Sequence, residues 1–330
     1  MLRLFAHAKY DFIAVRRWAY AATALFILPG VLLLLIHGLN YSIEFTGGTL
    51  IQVESKGKVD VAAVRSGLDR EGIHGAEIQN FGAANEFVVR ARVAKPGTDA
   101  NDTQATADAV RGALTRVLGA GNFTITRTEA VGPKVGGELR TKAFLAVFLS
   151  FFAVLAYLAY RFEWRFGLAA VIATAHDIVA TIAFIAMMRL EVSLTVVAAV
   201  LSMVGYSLND TIIIFDRVRE NLKKHKKETF EQILNRSINE TLPRSVLTHG
   251  TTLSSLLALT IFGGEVIRPF ALVMFFGVFT GTFSSIYIAS PVLMAIEKRW
   301  PGQLAKGHLA PAAAPAPPVT GGGRKTAPVG

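Results

Sequence analysis

Cysteine is absent from this 330-residue sequence. Without cysteine the chain cannot have a disulfide framework, a metal site built from thiolates or redox chemistry through thiols. Any exported domain must therefore be stabilised by its own apolar core. Charged residues are also few, at 18% of the sequence, whereas 52% of the residues are hydrophobic. This balance is typical of a membrane protein.

The hydrophobic residues are gathered into six blocks, each near the length that crosses a bilayer. The sequence therefore predicts an all-α membrane bundle of six transmembrane helices. The first block lacks a convincing small-residue cleavage site, so we interpret it as a retained helix and not as a secretory signal. The predicted spans are 18–38, 141–160, 166–188, 192–215, 245–262 and 270–296.

Lysine and arginine accumulate in the short segments on one side of these spans. Because basic loops remain in the cytoplasm, both termini, 1–17 and 301–330, are predicted to be cytoplasmic, together with a basic loop at 216–244. The long insert 39–140 then lies outside. The net charge of +10 reflects this topology, and we expect no nucleic-acid partner. The tail 301–330 is rich in Ala, Pro and Gly, a composition that predicts disorder.

The insert is long enough to form a small domain with its own core. Alternating and helical hydrophobic patterns predict the order βαββαβ. This order indicates a ferredoxin-like α+β domain, a scaffold that many unrelated functions share, and it suggests a docking or moving head. The predicted strands are 49–54, 77–81, 87–93 and 123–131, the helices are 59–71 and 103–118, and 82–85 is a hairpin loop.

The insert has no catalytic triad and no Gly-rich phosphate loop, and His74 is the only imidazole in it. We therefore expect no enzymatic activity, no cofactor and no metal site. Two glycine motifs join the insert to the membrane spans. Paired glycines allow either a tight fixed turn or a hinge, and the sequence leaves both readings open. The junction residues are Glu44, Phe45, Gly47 and Gly48 at the first motif and Gly132, Pro133 and Gly136 at the second.

The fourth predicted span contains Asp210, preceded by Asn209. An ionisable side chain within hydrocarbon costs roughly 2.5 to 3.5 kcal/mol on insertion scales, so such groups usually face the bundle interior and mark an ion or proton path. Helical spacing places both residues on one side with Ser202 and Tyr206, and we expect that side to face inward. The alternative is that Asp210 reaches headgroup water at the cytoplasmic end of a long span.

Arg244 is predicted to open the fifth span, at a depth from which it could approach Asp210. We hypothesise an ion pair that holds the proton off Asp210 until a conformational change separates the two. His176 and Asp177 lie near the middle of the third span, where they could relay protons or form a structural polar pair. The Gly277 and Gly281 spacing in the sixth span favours close helix packing.

Several motifs together resemble the SecF branch of the SecD/SecF family, over about residues 10–300. The first junction departs from the family pattern, because Ser42 and Glu44 stand where the family has Gly and Asp. The motifs are the two glycine junctions, His176 with Asp177, Gly205-Tyr206-Ser207-Leu208-Asn209-Asp210-Thr211, Asp216-Arg217-Val218-Arg219-Glu220-Asn221, and the run from Ser237 to Arg244.

The resemblance implies a subunit of a bacterial inner membrane that, with SecD, uses the proton motive force to assist late steps of protein translocation. Further partners would be the SecYEG channel, exported preproteins and membrane lipid, and six spans resemble half of a resistance-nodulation-division transporter. Two alternatives stay open: half of a proton-driven small-molecule efflux transporter, and a passive membrane scaffold. The expected proton pathway consists of Asp210, Arg244, Asn209, Asp177 and His176.

Overall fold

The computed structural model describes residues 9–81, 85–91 and 103–309. The helices of these ranges are α1 (Arg16–His37), α2 (Ile43–Thr46), α3 (Val61–Arg70), α4 (Thr103–Leu118), α5 (Pro133–Arg161), α6 (Trp164–Met187), α7 (Leu194–Lys224), α8 (Phe230–Phe262), α9 (Gly264–Ser284) and α10 (Ser290–Arg299). The strands are β1 (Asn40–Tyr41), β2 (Gly48–Ser55), β3 (Glu77–Asn80), β4 (Glu86–Ala91), β5 (Phe123–Val131) and β6 (Glu191–Val192).

Six segments of the described chain are long and apolar enough to cross a membrane. They are α1, α5, α6, α7, α8, and α9 continued into α10 through a π-helical turn at Ser285–Ala289. This confirms the predicted number of spans. Half of the most apolar stretch of α6 and of α7 is buried, against 11% in α1 and 6% in α5. The centre of the bundle is therefore built from α6, α7 and α9, and α1 and α5 lie at its periphery.

The fifth span starts earlier than the sequence predicted. The sequence predicts a basic loop at 216–244, but these residues are helical except for 225–229. Thr229 and Gln232 form a capping box that begins α8 at Phe230. Phe230, Ile233 and Leu234 are then buried on one side of the new helix. The helix continues through Pro243, so Arg244 lies inside α8 and not at its start.

The inserted domain is a four-stranded antiparallel sheet in the order β3-β4-β2-β5, joined to α3 and α4. Its elements follow the order βαββαβ along the chain. The inward side chains of the strands pack with both helices in one core formed by Ile51, Val53, Phe87, Val89, Leu68, Val110 and Leu114, among others. The predicted hairpin loop, apart from residue 85, and the end of the predicted third strand at 92–93 lie outside the described residues.

Residues 301–309 pack against the bundle, so the prediction of disorder is wrong for this part of the tail. Ala305 is 1% exposed and His308 is 5% exposed. The His308 imidazole contacts two backbone carbonyls: Nε2 lies 3.1 Å from Leu222 O in the last turn of α7, and Nδ1 lies 2.7 Å from Glu228 O in the segment between α7 and α8. The last carbonyls of a helix lack partners within the helix, so the contact with Leu222 O helps to explain why the segment docks there. Residues 310–330 lie outside the described part of the chain, as do residues 1–8.

Candidate functional site

Asp210 is 3% exposed and faces the interior of the helix bundle. Its Oδ1 atom accepts a hydrogen bond from the Ser245 hydroxyl of α8 at 2.6 Å. Its Oδ2 atom is also buried and has no hydrogen-bond partner among the described residues. His249 and Arg244, both on α8, are close enough to interact electrostatically with this carboxylate. Asp210 therefore keeps one oxygen atom available inside the bundle.

Arg244 does not form the ion pair with Asp210 that the sequence suggested. Its side chain is exposed, and its neighbour Ser245 contacts the carboxylate instead. Since successive residues of a helix point about 100° apart, only one of these two positions can face α7. Because α8 continues through Pro243, Ser245 is the residue that faces α7, and Arg244 is not.

Asn209 is exposed, whereas Asp210 beside it is buried. The expectation that both share an inward-facing side is therefore wrong, for the same geometric reason. Asn209 instead ends a stripe of small, exposed side chains along α7. The other members of that stripe are Ala198, Ser202 and Gly205.

A second buried carboxylate, Asp177 of α6, is completely inaccessible to solvent. Its Oδ2 atom accepts hydrogen bonds from the hydroxyls of Ser207 in α7 and Ser284 in α9, the latter at 2.7 Å. Its Oδ1 atom lies 3.0 Å from Nδ1 of His176. His176 and Asp177, which the sequence singled out as a pair, are thus in direct contact. The other ring nitrogen of His176 is buried without a partner among the described residues.

The two serines that bond to Asp177 were missed by the sequence reasoning. They meet because α7 and α9 pack very closely: a Cβ atom added to Gly281 would lie only 2.6 Å from Ser207 Cβ. The signal was present, since Gly281 belongs to the small-residue spacing noted above and Ser207 is one turn before Asp210. The contact between Gly281 and Ser207 could not be predicted without knowing that α7 and α9 are neighbours.

A contact between two hydroxyl groups lies beside both carboxylate sites. Thr211, which follows Asp210, lies with its Oγ1 atom 2.8 Å from the Oγ atom of Ser285, and Ser285 follows Ser284 in the chain. The neighbour of Asp210 in α7 therefore contacts the neighbour of Ser284, which bonds to Asp177, at the start of the π-helical turn.

The combination of serine, histidine and aspartate does not form a nucleophilic triad. In a triad the serine donates to the imidazole, but here Ser207 and Ser284 donate to the carboxylate. No cluster of three or more metal-ligating side chains occurs in the described ranges. The arrangement can hold a proton on a carboxylate inside the bundle, which is what its chemistry favours.

The two glycine junctions contact each other at the base of the inserted domain. A Cβ atom on Gly136, in the first turn of α5, would lie 2.8 Å from the backbone nitrogen of Gly47. Gly47 itself has a positive φ of 73°, which favours glycine. Phe45 is 3% exposed, Gly48 begins β2 and Gly132 is the N-cap of α5, immediately before Pro133. In this conformation the junction is a packed turn.

The junction is also tied to the helix that carries Asp210. Strand β1, just after α1, pairs in parallel with β6, just before α7. The Oε2 atom of Glu44 accepts a hydrogen bond from the backbone N–H of Leu194, the first residue of α7, at 2.6 Å. On the same side, Arg90 of the sheet forms an ion pair with Glu191. Burial raises the pKa of Glu191 above its usual range, although the charge of Arg90 opposes this shift.

These features define a multi-pass membrane protein with an inserted α+β domain and with the carboxylates of Asp177 and Asp210 buried among its helices. Residues 110–299 match the protein export membrane protein SecD/SecF C-terminal family, and residues 32–59 match the SecD/SecF GG motif. The chain belongs to the SecD/SecF family, as its sequence motifs suggested.

Relatives of similar length carry the name protein translocase subunit SecF. One from Gemmatimonas aurantiaca is 59% identical over 91% of this chain and 91% of its own length. One from Escherichia coli O157:H7 is 35% identical, covering 87% and 88% of the two chains. The crystal structure of SecDF from Thermus thermophilus, described as a translocon-associated membrane protein, is 37% identical with a TM-score of 0.78. It covers 88% of this chain, which spans about two fifths (39%) of that longer one.

Proposed function

We propose that this chain is a SecF-type subunit that, with SecD, uses the proton motive force to assist late steps of protein translocation across a bacterial inner membrane. The observation that carries the proposal is the buried carboxylate of Asp210, with one oxygen atom bonded to Ser245 and the other available. A carboxylate in such a place is costly to keep ionised, so a change of conformation that alters its surroundings drives proton uptake or release.

Arg244 has a part in this cycle. Its charge acts on Asp210, but its side chain is exposed in the conformation described above. A movement of α8 relative to α7 would exchange the Ser245 contact for the arginine and expel the proton. Asp177 and His176 form the second part of the pathway, one helix away, and Asn209 belongs to the outer face of α7.

The inserted domain, with its ferredoxin-like order of elements, acts as a periplasmic head in this proposal. Its junction is bonded to the N-terminus of α7 through Glu44, and its sheet contacts the same region through Arg90 and Glu191. A displacement of α7 would therefore be transmitted to the head, which would act on exported preproteins. Coupling by contiguous packed contacts of this kind is the physical basis for transmission between distant sites.

A partner such as SecD is favoured by the outer faces of α7 and α8. In addition to the stripe of small side chains on α7, α8 exposes Thr248, Thr251, Ser254 and Ser255. Polar and small side chains on a membrane helix favour contact with another helix over contact with lipid. The similar SecDF chain is more than twice as long, and its remainder would correspond to the partner. The SecYEG channel is the further partner we propose, and lipid surrounds the remaining faces.

The orientation rests on the distribution of basic residues. Arg161, Arg217 and Arg219 lie at the end of the bundle opposite the inserted domain, where they pair with acidic side chains of α7 and α8. By the positive-inside rule this end is cytoplasmic, together with both termini. We propose a transport role without enzymatic activity, because the buried Ser207 and Ser284 donate to Asp177 and the buried Ser245 donates to Asp210.

The test is Asp210→Asn, measured as export into vesicles with and without an imposed proton gradient. We expect the variant to fold and to assemble, and to lose the gradient-dependent part of late export. Asp69→Asn, at an exposed position of the head, is the matched control and should behave as wild type. Unchanged export in Asp210→Asn would support the passive scaffold, and altered drug tolerance would support the efflux transporter.

The partner surface is tested separately. A Cβ atom on Gly205 meets nothing within 4 Å in this chain, so Gly205→Leu should leave the isolated chain stable but reduce the amount of SecD that co-purifies with it. Ala24→Leu on the exposed side of α1 is the control. Equal recovery of SecD with both variants would exclude this face of α7 as the interface.

A further inference from the structure

His249 of α8 is a buried imidazole that the sequence motifs did not single out. It is 5% exposed, and its Nδ1 atom is buried without a hydrogen-bond partner among the described residues. A buried polar atom without a partner is costly and calls for a physical explanation. The neighbourhood of Asp210 supplies one.

The imidazole and the carboxylate occupy neighbouring levels of the same two helices. Ser245, which donates to Asp210, is one turn before His249 on α8. Tyr206, whose ring lies edge-on to the His249 ring with 5.3 Å between centroids, is one turn before Asp210 on α7. The Ser245–Asp210 contact and the Tyr206–His249 contact therefore lie one helical turn apart between the same two helices, α7 and α8.

Tyr206 holds this arrangement in place. Its hydroxyl donates to Oγ1 of Thr252 at 2.9 Å and lies 3.3 Å from the carbonyl of Thr248. Both partners are on α8, so the tyrosine ring is fixed against the imidazole. Tyr206 therefore covers one side of the His249 ring.

The charged groups around His249 are few. Asp210 acts on it from α7, and the backbone carbonyl of Ser245 acts on it from the preceding turn. Arg244 acts on Asp210 from the same helix as His249. The segment of α9 and α10 that follows Pro269 has no charged side chain before Glu297. The electrostatic surroundings of the imidazole are therefore dominated by the Asp210 carboxylate.

Resting on the function proposed above, we propose that His249 is a second proton-holding side chain of the Asp210 site and exchanges a proton with the carboxylate through a bridging water. The imidazolium Nδ1–H donates its proton to the water, and the water passes one of its own to Oδ2 of Asp210. Neutral imidazole and a neutral carboxylic acid remain. The two unpartnered buried atoms, Nδ1 of His249 and Oδ2 of Asp210, are the donor and the acceptor that this exchange needs.

The exchange is tested first by the pH profile of gradient-driven export, using vesicles that contain the chain together with the partner that co-purifies with it. His249→Gln keeps size and hydrogen bonding but does not titrate. We expect it to fold and assemble, with the midpoint of the profile moved by roughly one pH unit or more, because strongly interacting groups titrate as a pair. His74→Gln, at a side chain that is 80% exposed, should retain the wild-type profile. A wild-type profile in His249→Gln would overturn the proposal.

A second measurement does not depend on export. The ring ¹⁵N signals of His249, assigned by their loss in His249→Gln, are followed against pH in the wild-type complex and in Asp210→Asn. We expect Asp210→Asn to move the titration of His249 by roughly one pH unit, whereas Asp69→Asn leaves it unchanged. Superimposable titrations in wild type and Asp210→Asn would also overturn the proposal. If instead Asp210→Asn exports normally, the proposed function fails, and the spectra still decide whether the two groups interact.

Discussion

The carboxylate of Glu44 caps the N-terminus of the helix that begins at Leu194, with 2.6 Å between Glu44 Oε2 and the Leu194 nitrogen. These residues are 150 positions apart in the chain, yet one bond joins the base of the head to α7. A carboxylate at this position satisfies an otherwise unpaired N–H group and interacts favourably with the helix dipole. Glu44, the acidic residue of the first glycine motif, therefore links the base of the head to α7 in addition to forming part of the turn.

Glu44→Ala should loosen the first turn of α7. Loss of an N-terminal cap typically costs about 1 kcal/mol, so amide exchange at residues 194–196 should accelerate roughly fivefold. Glu54→Ala, which removes an exposed carboxylate from β2, is the control. Unaltered exchange in Glu44→Ala would show that Ser193, whose hydroxyl accepts from the Val196 N–H, caps the helix sufficiently alone.

Two variants of Asp177 separate its role as a hydrogen-bond acceptor from its role as a charged group. Asp177→Asn keeps a carbonyl oxygen for Ser207 and Ser284, so we expect thermal stability to change little. Asp177→Leu leaves the Ser207 hydroxyl without its acceptor and should cost about 1–3 kcal/mol, whereas the Ser284 hydroxyl also has the Gly281 carbonyl at 3.2 Å. Thermal unfolding of the two purified variants measures the difference. If both variants unfold at the same temperature, the serine contacts do not contribute to stability. Gradient-driven export by the Asn variant then reports whether the charge itself is needed.

Close packing of α9 on α7 is tested at Gly281. An added methyl group would meet Ser207 at 2.6 Å, and overpacking of this kind usually costs about 1–3 kcal/mol. Gly281→Ala should therefore lower the unfolding temperature and separate Ser207 and Ser284 from Asp177. Gly250→Ala, within α8, is the matched control, because its added Cβ meets nothing within 4 Å. Equal stability of the two variants would mean that α7 and α9 are not held together at this point.

The sequence predicted the spans and the elements of the inserted domain because both depend on local hydrophobic periodicity. Asp210 and Asp177 could be identified because a carboxylate among apolar residues is conspicuous without knowledge of its neighbours. Ser245, His249 and Ser284 could not, because a polar residue on a membrane helix acquires a role only when the facing helix is known. The sequence places Arg244 at a helix start because Pro243 is a common boundary signal. The apolar face from Phe230 onward outweighed that signal.

The contact between head and membrane domain should respond to pH through Glu191. Burial raises its pKa, so the docked arrangement binds this proton more tightly than an exposed glutamate does. Docking is therefore stabilised as pH falls through the titration of Glu191 and weakened as pH rises through it. The Ser42 amide bonds to the Val192 carbonyl at 2.9 Å. Its hydrogen-exchange protection, corrected for the pH dependence of intrinsic exchange, measures the stability of this docked contact. The pH dependence should disappear in Glu191→Gln and persist in Glu54→Gln. Protection that instead falls with falling pH would contradict the assignment.

The central claim is that Asp210 takes up and releases a proton inside the bundle. Infrared difference spectra of the complex in vesicles, recorded as the pH is lowered, detect the C=O stretching band of a newly protonated carboxyl group. The account predicts such a band in the wild type, its loss in Asp210→Asn, and its retention in Asp69→Asn. A carboxylate at position 210 that stays ionised under every condition that supports export would contradict it.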